Sequence, residues 1–241
     1  MSAITTTNLT KKYGQFTAVN ELNLSINEGE LFALLGVNGA GKTTTIKMLS
    51  CLIKPTIGDA FVLGNSINVS PHLVKQQTNI SPQETAVAPN LSVRENLEMI
   101  AGIYGQNSKD AKQSTITISK QFGISGIMGK KAKTLSGGMQ RRLSIAMALI
   151  SQPKILFLDE PTLGLDVLAR RELWAGITSL KGKTTIILTT HYMEEVEALS
   201  DRIGVMSEGR LLAVGTIAEL TAQTGTTKLE DAFIALTRGA I

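Results

Sequence analysis

An α/β architecture is what the sequence predicts: a mixed β region, then a helical block, then a second α/β region. Three patterns carry that order. The first third of the 241 residues breaks into short apolar runs separated by glycines. The middle repeats apolar residues at helical spacing, and the last third alternates buried apolar runs with helical stretches.

The runs Ile4–Leu9, Leu22–Ile26, Leu31–Leu35 and Ala60–Leu63 have strand length, and Gly29, Gly36, Gly58 and Gly64 punctuate them, so strands partly paired as hairpins are expected. One helix interrupts them, beginning near Gly41 with Ile46, Leu49 and Ile53 on one face. Ser92-Val-Arg-Glu95 then has the capping-box pattern, opening a helix with Leu97 and Ile100 turned inward. A weaker helix is expected over Lys109–Phe122, because Thr115, Ile116, Thr117 and Ile118 are β-branched. A third covers Gly137–Ile150, where Met139, Leu143, Ala146, Met147 and Ile150 recur at helical spacing. Buried strands return at Ile155–Leu158, Thr185–Thr189, Ile203–Met206 and Arg210–Val214. Helical patterns around Leu168–Leu180 and Met193–Leu199 suggest βαβ crossovers and a parallel sheet. Thr216-Ile-Ala-Glu219 is a second capping box, and Leu229–Leu236 reads as a closing amphipathic helix.

Composition bounds the function classes. Hydrophobic residues make up 43% and charged residues 18%, which excludes a disordered or collagen-like chain. No apolar run approaches the roughly 18 residues of a membrane span, and the N-terminus lacks the basic and apolar regions of a signal peptide. Cys51 is the single cysteine, so neither an internal disulfide nor a cysteine metal site is available. A soluble, intracellular, globular protein is expected. Lys+Arg 24 against Asp+Glu 20 leaves a net charge of +4. The acid-free stretch Lys130–Arg142 holds Lys130, Lys131, Lys133, Arg141 and Arg142, read as a solvated face or a nucleic-acid patch. Aromatic residues are only 4% and none interleave with those cations, so no stacking platform for single strands exists.

Gly36-Val-Asn-Gly-Ala-Gly-Lys42-Thr43 matches the phosphate-loop pattern GxxxxGK[ST], after one strand and at the mouth of a helix. Its glycines let backbone N–H groups turn toward phosphate oxygens, and the helix N-terminus adds partial positive charge. Lys42 would reach the β- and γ-phosphates, and Thr43 would hold Mg²⁺. Ile155-Leu-Phe-Leu-Asp159-Glu160-Pro161 is a buried strand ending in two carboxylates. Neighbours on a strand point to opposite sides, so Asp159 is offered the Mg²⁺ shell and Glu160 the attacking water. Leu135-Ser136-Gly137-Gly138-Met139-Gln140 puts a serine N-cap and two glycines at a helix start, a second anion site.

This combination resembles the nucleotide-binding domain of ABC transporters over the whole chain. The resemblance implies a P-loop NTPase (RecA-like) core with an antiparallel β subdomain and an inserted α-helical subdomain. Residues 1–82 and 154–241 would form the core, and 83–153 the helical insert. Gln83, 41 residues after Lys42, matches the Q-loop glutamine that senses Mg²⁺ and water. His191 matches the switch histidine at the γ-phosphate, Tyr13 is similar to the aromatic that stacks on adenine, and Leu163-Gly-Leu-Asp166 looks like the D-loop of the dimer interface. The implied ATP-binding set is Tyr13, Gly36, Asn38, Gly39, Ala40, Gly41, Lys42, Thr43, Thr44, Ser136, Gly137 and Gly138. Lys42, Gln83, Glu160 and His191 would be catalytic, and Thr43, Gln83 and Asp159 would hold the metal. Two departures stand out: Met139 separates the second glycine from Gln140, and Leu163 stands where the family's D-loop usually has serine.

Leu135–Gln140 resembles the family's signature, and one phosphate loop and one signature per chain imply a dimer, with a second copy or a paralogous ATPase subunit, in which each signature closes on the other subunit's ATP. Transport further implies a separate polytopic transmembrane permease and a peripheral place on the cytoplasmic side of the cell membrane. The tail and the Met139 variant resemble drug- and polymer-exporting subunits, and no nucleic acid is expected. The rival reading is a soluble ABC ATPase acting on nucleic acid or ribosomes.

Overall fold

The computed structural model describes residues 1–238. Its first two strands, β1 (Ser2–Tyr13) and β2 (Phe16–Asn27), pair antiparallel through a hairpin closed by Tyr13 opposite Phe16. Both outrun their apolar stretches, because polar residues at their ends join the ladder. β3 (Leu31–Leu35) leads into α1 (Lys42–Leu49). That helix stops at Leu49, and Cys51 takes φ 57°, so Ile53, expected on the helix, lies beyond its end. β4 (Ile57–Val62) and the short β5 (Asn65–Ser66) complete a four-stranded sheet ordered β2-β1-β4-β5.

Next come α2 (Pro71–Gln77) and β6 (Thr78–Ser81), neither of which carries an apolar run. The helical block follows as α3 (Val93–Ile103), α4 (Ser108–Gln121) and α5 (Gly137–Leu149). The Ser92–Glu95 capping box forms in both directions, with Glu95 N–H donating to Ser92 Oγ at 3.2 Å and Ser92 N–H to Glu95 Oε2 at 2.7 Å. The remaining elements are β7 (Ile155–Asp159), α6 (Val167–Thr178), β8 (Thr185–Thr190), α7 (Met193–Leu199), β9 (Arg202–Ser207), β10 (Arg210–Gly215), α8 (Ile217–Thr224) and α9 (Leu229–Arg238). The six-stranded sheet runs β10-β9-β3-β8-β7-β6, parallel except for the edge strand β10, which returns antiparallel from β9.

Every residue of β3, β7 and β8 is buried, as strands covered on both faces must be. Leu156, Leu158, Ile186 and Leu188 pack toward α3 and α5, whereas Phe157, Ile187, Phe32 and Leu34 pack toward α1 and the antiparallel sheet. Period-two alternation thus divides the strands between two cores. The basic stretch divides as well: Lys130, Lys131 and Lys133 are exposed, but Arg141 and Arg142 are buried with the rest of α5. The expected solvated face therefore ends before that helix, which is covered on every side from Arg141 onward. Among the described residues no helix is long and apolar enough to cross a membrane.

Candidate active site

The strand order brings the C-terminal ends of β3, β6, β7 and β8 side by side, and the site is built there. From Leu35 the chain turns through Gly39 and Gly41, with φ 85° and 99°, into α1. A side chain at Gly41 would meet the Ala18 carbonyl oxygen at 2.5 Å, so the hairpin above the loop admits only glycine. Gly41 caps α1 without a side-chain bond, which leaves the N–H groups of the first turn for an anion. Lys42 is 5% exposed; its Nζ donates to Gly36 O at 2.7 Å and Val37 O at 3.2 Å, and lies 3.3 Å from Glu160 Oε1.

Asp159 ends β7. Its Oδ1 accepts from Thr43 Oγ1 at 3.0 Å and from Thr189 Oγ1 at 2.5 Å. Glu160 does not continue the strand. It adopts φ 48°, its N–H donates to Thr189, and its Oε2 lies 2.8 Å from His191 Nδ1. The opposite-sides expectation for the two acids is therefore corrected: the turn at Glu160 brings both carboxylates to the start of α1, Asp159 to Thr43 and Glu160 to Lys42. They remain chemically distinct, because one is tied to hydroxyls and the other to an ammonium and an imidazole.

A cavity of about 350 Å³ opens over these groups, lined by Asn38, Gly39, Ala40, Gly41, Lys42, Thr43, Thr44, Gln83 and Glu160, with Phe16 and Ala18 on the hairpin side. Gln83, from the loop after β6, reaches this cavity. Tyr13 does not line it. Tyr13, the cross-strand partner of Phe16, is half exposed under Lys11 Nζ at 5.2 Å, and Phe16 lines the rim. The signature lies elsewhere: Ser136 Oγ accepts from Met139 N–H at 3.4 Å, and Gly137 lines a second cavity with Gln83, Gln140, Arg141 and Leu163–Leu165. Gly138 packs where a Cβ would stand 3.2 Å from Ala169 Cβ. Asp166 caps α6, accepting from Ala169 N–H at 2.9 Å.

Arg141, which ties the segments of the site together, is one residue that the sequence alone did not point to. Its guanidinium donates to the carbonyls of Pro161 at 2.9 Å, Asp159 at 2.7 Å and Gln83 at 3.2 Å, and also to that of Pro82. One cation thus joins the Gln83 loop to the end of β7. Burial lowers its pKa to about 10, opposed by Asp159, Glu195 and Glu160, so it stays charged at neutral pH. Thr189 was missed too, as a polar residue inside an apolar run.

Backbone donors at a helix N-terminus, a buried lysine and a hydroxyl–carboxylate pair together suit a nucleoside triphosphate with a hard divalent cation. Among the described residues no group of three or more His, Cys, Asp or Glu side chains could hold a metal alone. The family model described as "ABC transporter" matches residues 19–163, more than half of the chain and the whole stretch from β2 to the 163–166 turn. The chain belongs to the ABC transporter family. A narrower match, residues 130–197, is to a model described as "AAA domain, putative AbiEii toxin, Type IV TA system".

Among curated relatives of this ABC cassette, the probable multidrug ABC transporter ATP-binding protein YbhF of Escherichia coli K12 is 41% identical over 234 residues, covering 95% of this chain and 40% of YbhF. The chain therefore spans less than half the length of that relative. The daunorubicin resistance ATP-binding protein DrrA3 of Streptomyces coeruleorubidus is 38% identical over 95% of this chain and 73% of its own. A solved dimer of the ATP-binding cassette MJ0796, in a post-hydrolysis state bound to ADP and Pi, superposes with a TM-score of 0.80 at 25% identity, covering 88% of this chain and 98% of that one.

Proposed function

We propose that this cassette hydrolyses ATP and that the hydrolysis powers export of a substrate through separate membrane-spanning subunits. The observation that carries the first part is the contact chain Lys42–Glu160–His191 at the mouth of the phosphate loop. The loop N–H groups and Lys42 bind the phosphates and neutralise charge that builds up during transfer. Glu160 holds and polarises the attacking water, and His191 fixes the Glu160 carboxylate from its other oxygen. Mg²⁺, held by Thr43, Asp159 and Gln83, would supply charge neutralisation on the phosphate oxygens. Tyr13 is assigned to the adenine side, with Phe16 next to it at the cavity rim.

Ser136–Gly138 stand apart from the phosphate-loop cavity, which supports completion of each site by a second chain. The partner's Ser136 turn would close on the γ-phosphate, with Asp166 in the turn at the interface. The drug-resistance names of the relatives support the export class, with the cassette docked on the cytoplasmic side of the membrane. The deciding experiment is Glu160→Gln in the full chain. ATP should still bind, turnover should fall by at least a hundredfold, and an ATP-dependent dimer should accumulate in size-exclusion chromatography. Hydrolysis near the wild-type rate would remove Glu160 from its role.

A further inference from the structure

Two helices flank the site without touching the cavity. α6 begins at the Asp166 cap, directly after the 163–166 turn, and α7 begins directly after His191 and Tyr192. α7 is only seven residues long and its N-cap, Tyr192, makes no side-chain capping bond. A helix that short cannot hold its own geometry in isolation, so tertiary contacts decide where its start, and His191, sit.

Those contacts come from one face of α6, four residues apart. Arg170 Nη1 lies 3.3 Å from Glu194 Oε2, and its guanidinium stands 5.0 Å over the Tyr192 ring. The Tyr192 ring is in turn 4.1 Å from the His191 ring. One turn along, Trp174 Nε1–H donates to Glu195 Oε1 at 3.2 Å. Glu194 is exposed, so the Arg170 pair contributes little by itself. Glu195 is different: it is 0% exposed, and its Oε2 has no hydrogen-bond partner among the described residues. Burial raises its pKa, while the hydroxyl of Thr190, the indole of Trp174 and the hydroxyl of Thr162 oppose that rise, and Glu160 adds to it. A carboxyl group buried between the residue preceding His191 and the loop following Glu160 is costly unless hydrogen-bonded, and the Trp174 indole supplies the bond that its Oε1 accepts.

We propose that the Trp174–Glu195 hydrogen bond positions His191, fixing the first turn of α7 and thereby the imidazole against Glu160, so that displacement of the 163–166 turn reaches the Glu160–His191 pair through α6. Trp174 and Glu195 are positioning residues, since neither lines the nucleotide cavity. The inference rests on the roles given above to Glu160 and His191.

Trp174 is the single tryptophan of the chain, so tryptophan fluorescence reports on the surroundings of this one indole, the bond to Glu195 among them. In the full chain carrying Glu160→Gln, ATP with Mg²⁺ is expected to change Trp174 emission and its quenching by acrylamide. Unchanged emission and quenching, with ATP binding verified, would overturn the coupling. In otherwise wild-type protein, Trp174→Phe removes the N–H donor and should lower kcat about tenfold with KM for ATP within twofold. Glu195→Gln keeps an acceptor for the indole and should retain at least half of kcat, whereas Glu195→Leu should match Trp174→Phe. Wild-type kcat in both Trp174→Phe and Glu195→Leu, or equal loss in Glu195→Gln and Glu195→Leu, would sink the positioning role. If Trp174→Phe fails to fold, the Gln/Leu comparison decides. Turnover surviving Glu160→Gln would instead defeat the underlying ATPase reading, so the two failures are separable.

Discussion

Arg141→Lys is the sharpest test of how the site is held. The guanidinium serves four carbonyls from two directions, Pro82 and Gln83 on one side, Asp159 and Pro161 on the other. A lysine ammonium is a point donor and serves one side of that fork at a time. Two charge-assisted hydrogen bonds are then lost, at about 1.5–3 kcal/mol each, and the burial that lowers Arg141 to about 10 acts on a lysine from a lower starting value. A loss of about 3 kcal/mol is expected, the low end of that sum because the exposed Gln83 loop lets water reach its carbonyls. For a chain of this size that corresponds to a fall in melting temperature of roughly 6–12 °C. Urea unfolding followed by circular dichroism measures the first quantity, and steady-state ATPase the second consequence. With Gln83 released from Asp159, kcat should drop about tenfold while nucleotide affinity changes by less than about threefold, a loss of about 1.4 kcal/mol confined to the reacting state. A loss below about 1 kcal/mol together with wild-type kcat would refute the clamp.

Three further outcomes follow from the geometry. Gly41→Ala combines a left-handed φ, worth about 1–3 kcal/mol of strain, with a clash on the Ala18 carbonyl; titration with a fluorescent ATP analogue should show affinity falling at least tenfold. Ser92→Ala removes the cap of α3 and should cost about 1 kcal/mol in a urea titration, leaving kcat unchanged, since the box touches no cavity residue. Glu195 retains its proton in the folded state above the ordinary carboxylate value of 4.5. The folded protein then holds more protons than the unfolded chain, so this group's contribution to stability declines as pH rises from 4.5 toward the folded pKa. The melting temperature of Glu195→Gln minus that of wild type should therefore grow more positive from pH 4.5 upward, measured by scanning calorimetry.

The phosphate loop, the strand before it and the buried strand ending Asp159-Glu160 were legible because their chemistry needs fixed residue types in sequence order. The capping boxes at Ser92 and Thr216 were legible for the same reason, each being a reciprocal bond between residues three apart in sequence. Arg141 was not, because a cation four residues into a glycine-headed helix looks like surface until the two segments it joins are brought together. β6 was hidden because Thr78–Ser81 offers one apolar residue, its strand character coming from pairing with β7 rather than from its own pattern. The turn at Glu160 broke the alternation rule because the rule ends with the ladder, and the ladder ends at Asp159. Phe16 at the cavity rim was not legible, because a hairpin's cross-strand register, which sets Phe16 opposite Tyr13, cannot be read from one strand.

The helix α5 also has a mechanical meaning. It is 13 residues long, about 20 Å, capped by Ser136 at one end and anchored at the other where Leu149 and Ile150 pack beneath β7. In a rod held at its foot, any tilt is larger at the tip than part-way along. A tilt of 10° would carry Ser136 through roughly 3.5 Å, more than a hydrogen-bond length, but Arg141 through only about 2 Å. The Arg141 guanidinium, part-way along, ties the rod to the Gln83 loop and to the end of β7, on the side of the helix where such a tilt would have to begin or be resisted.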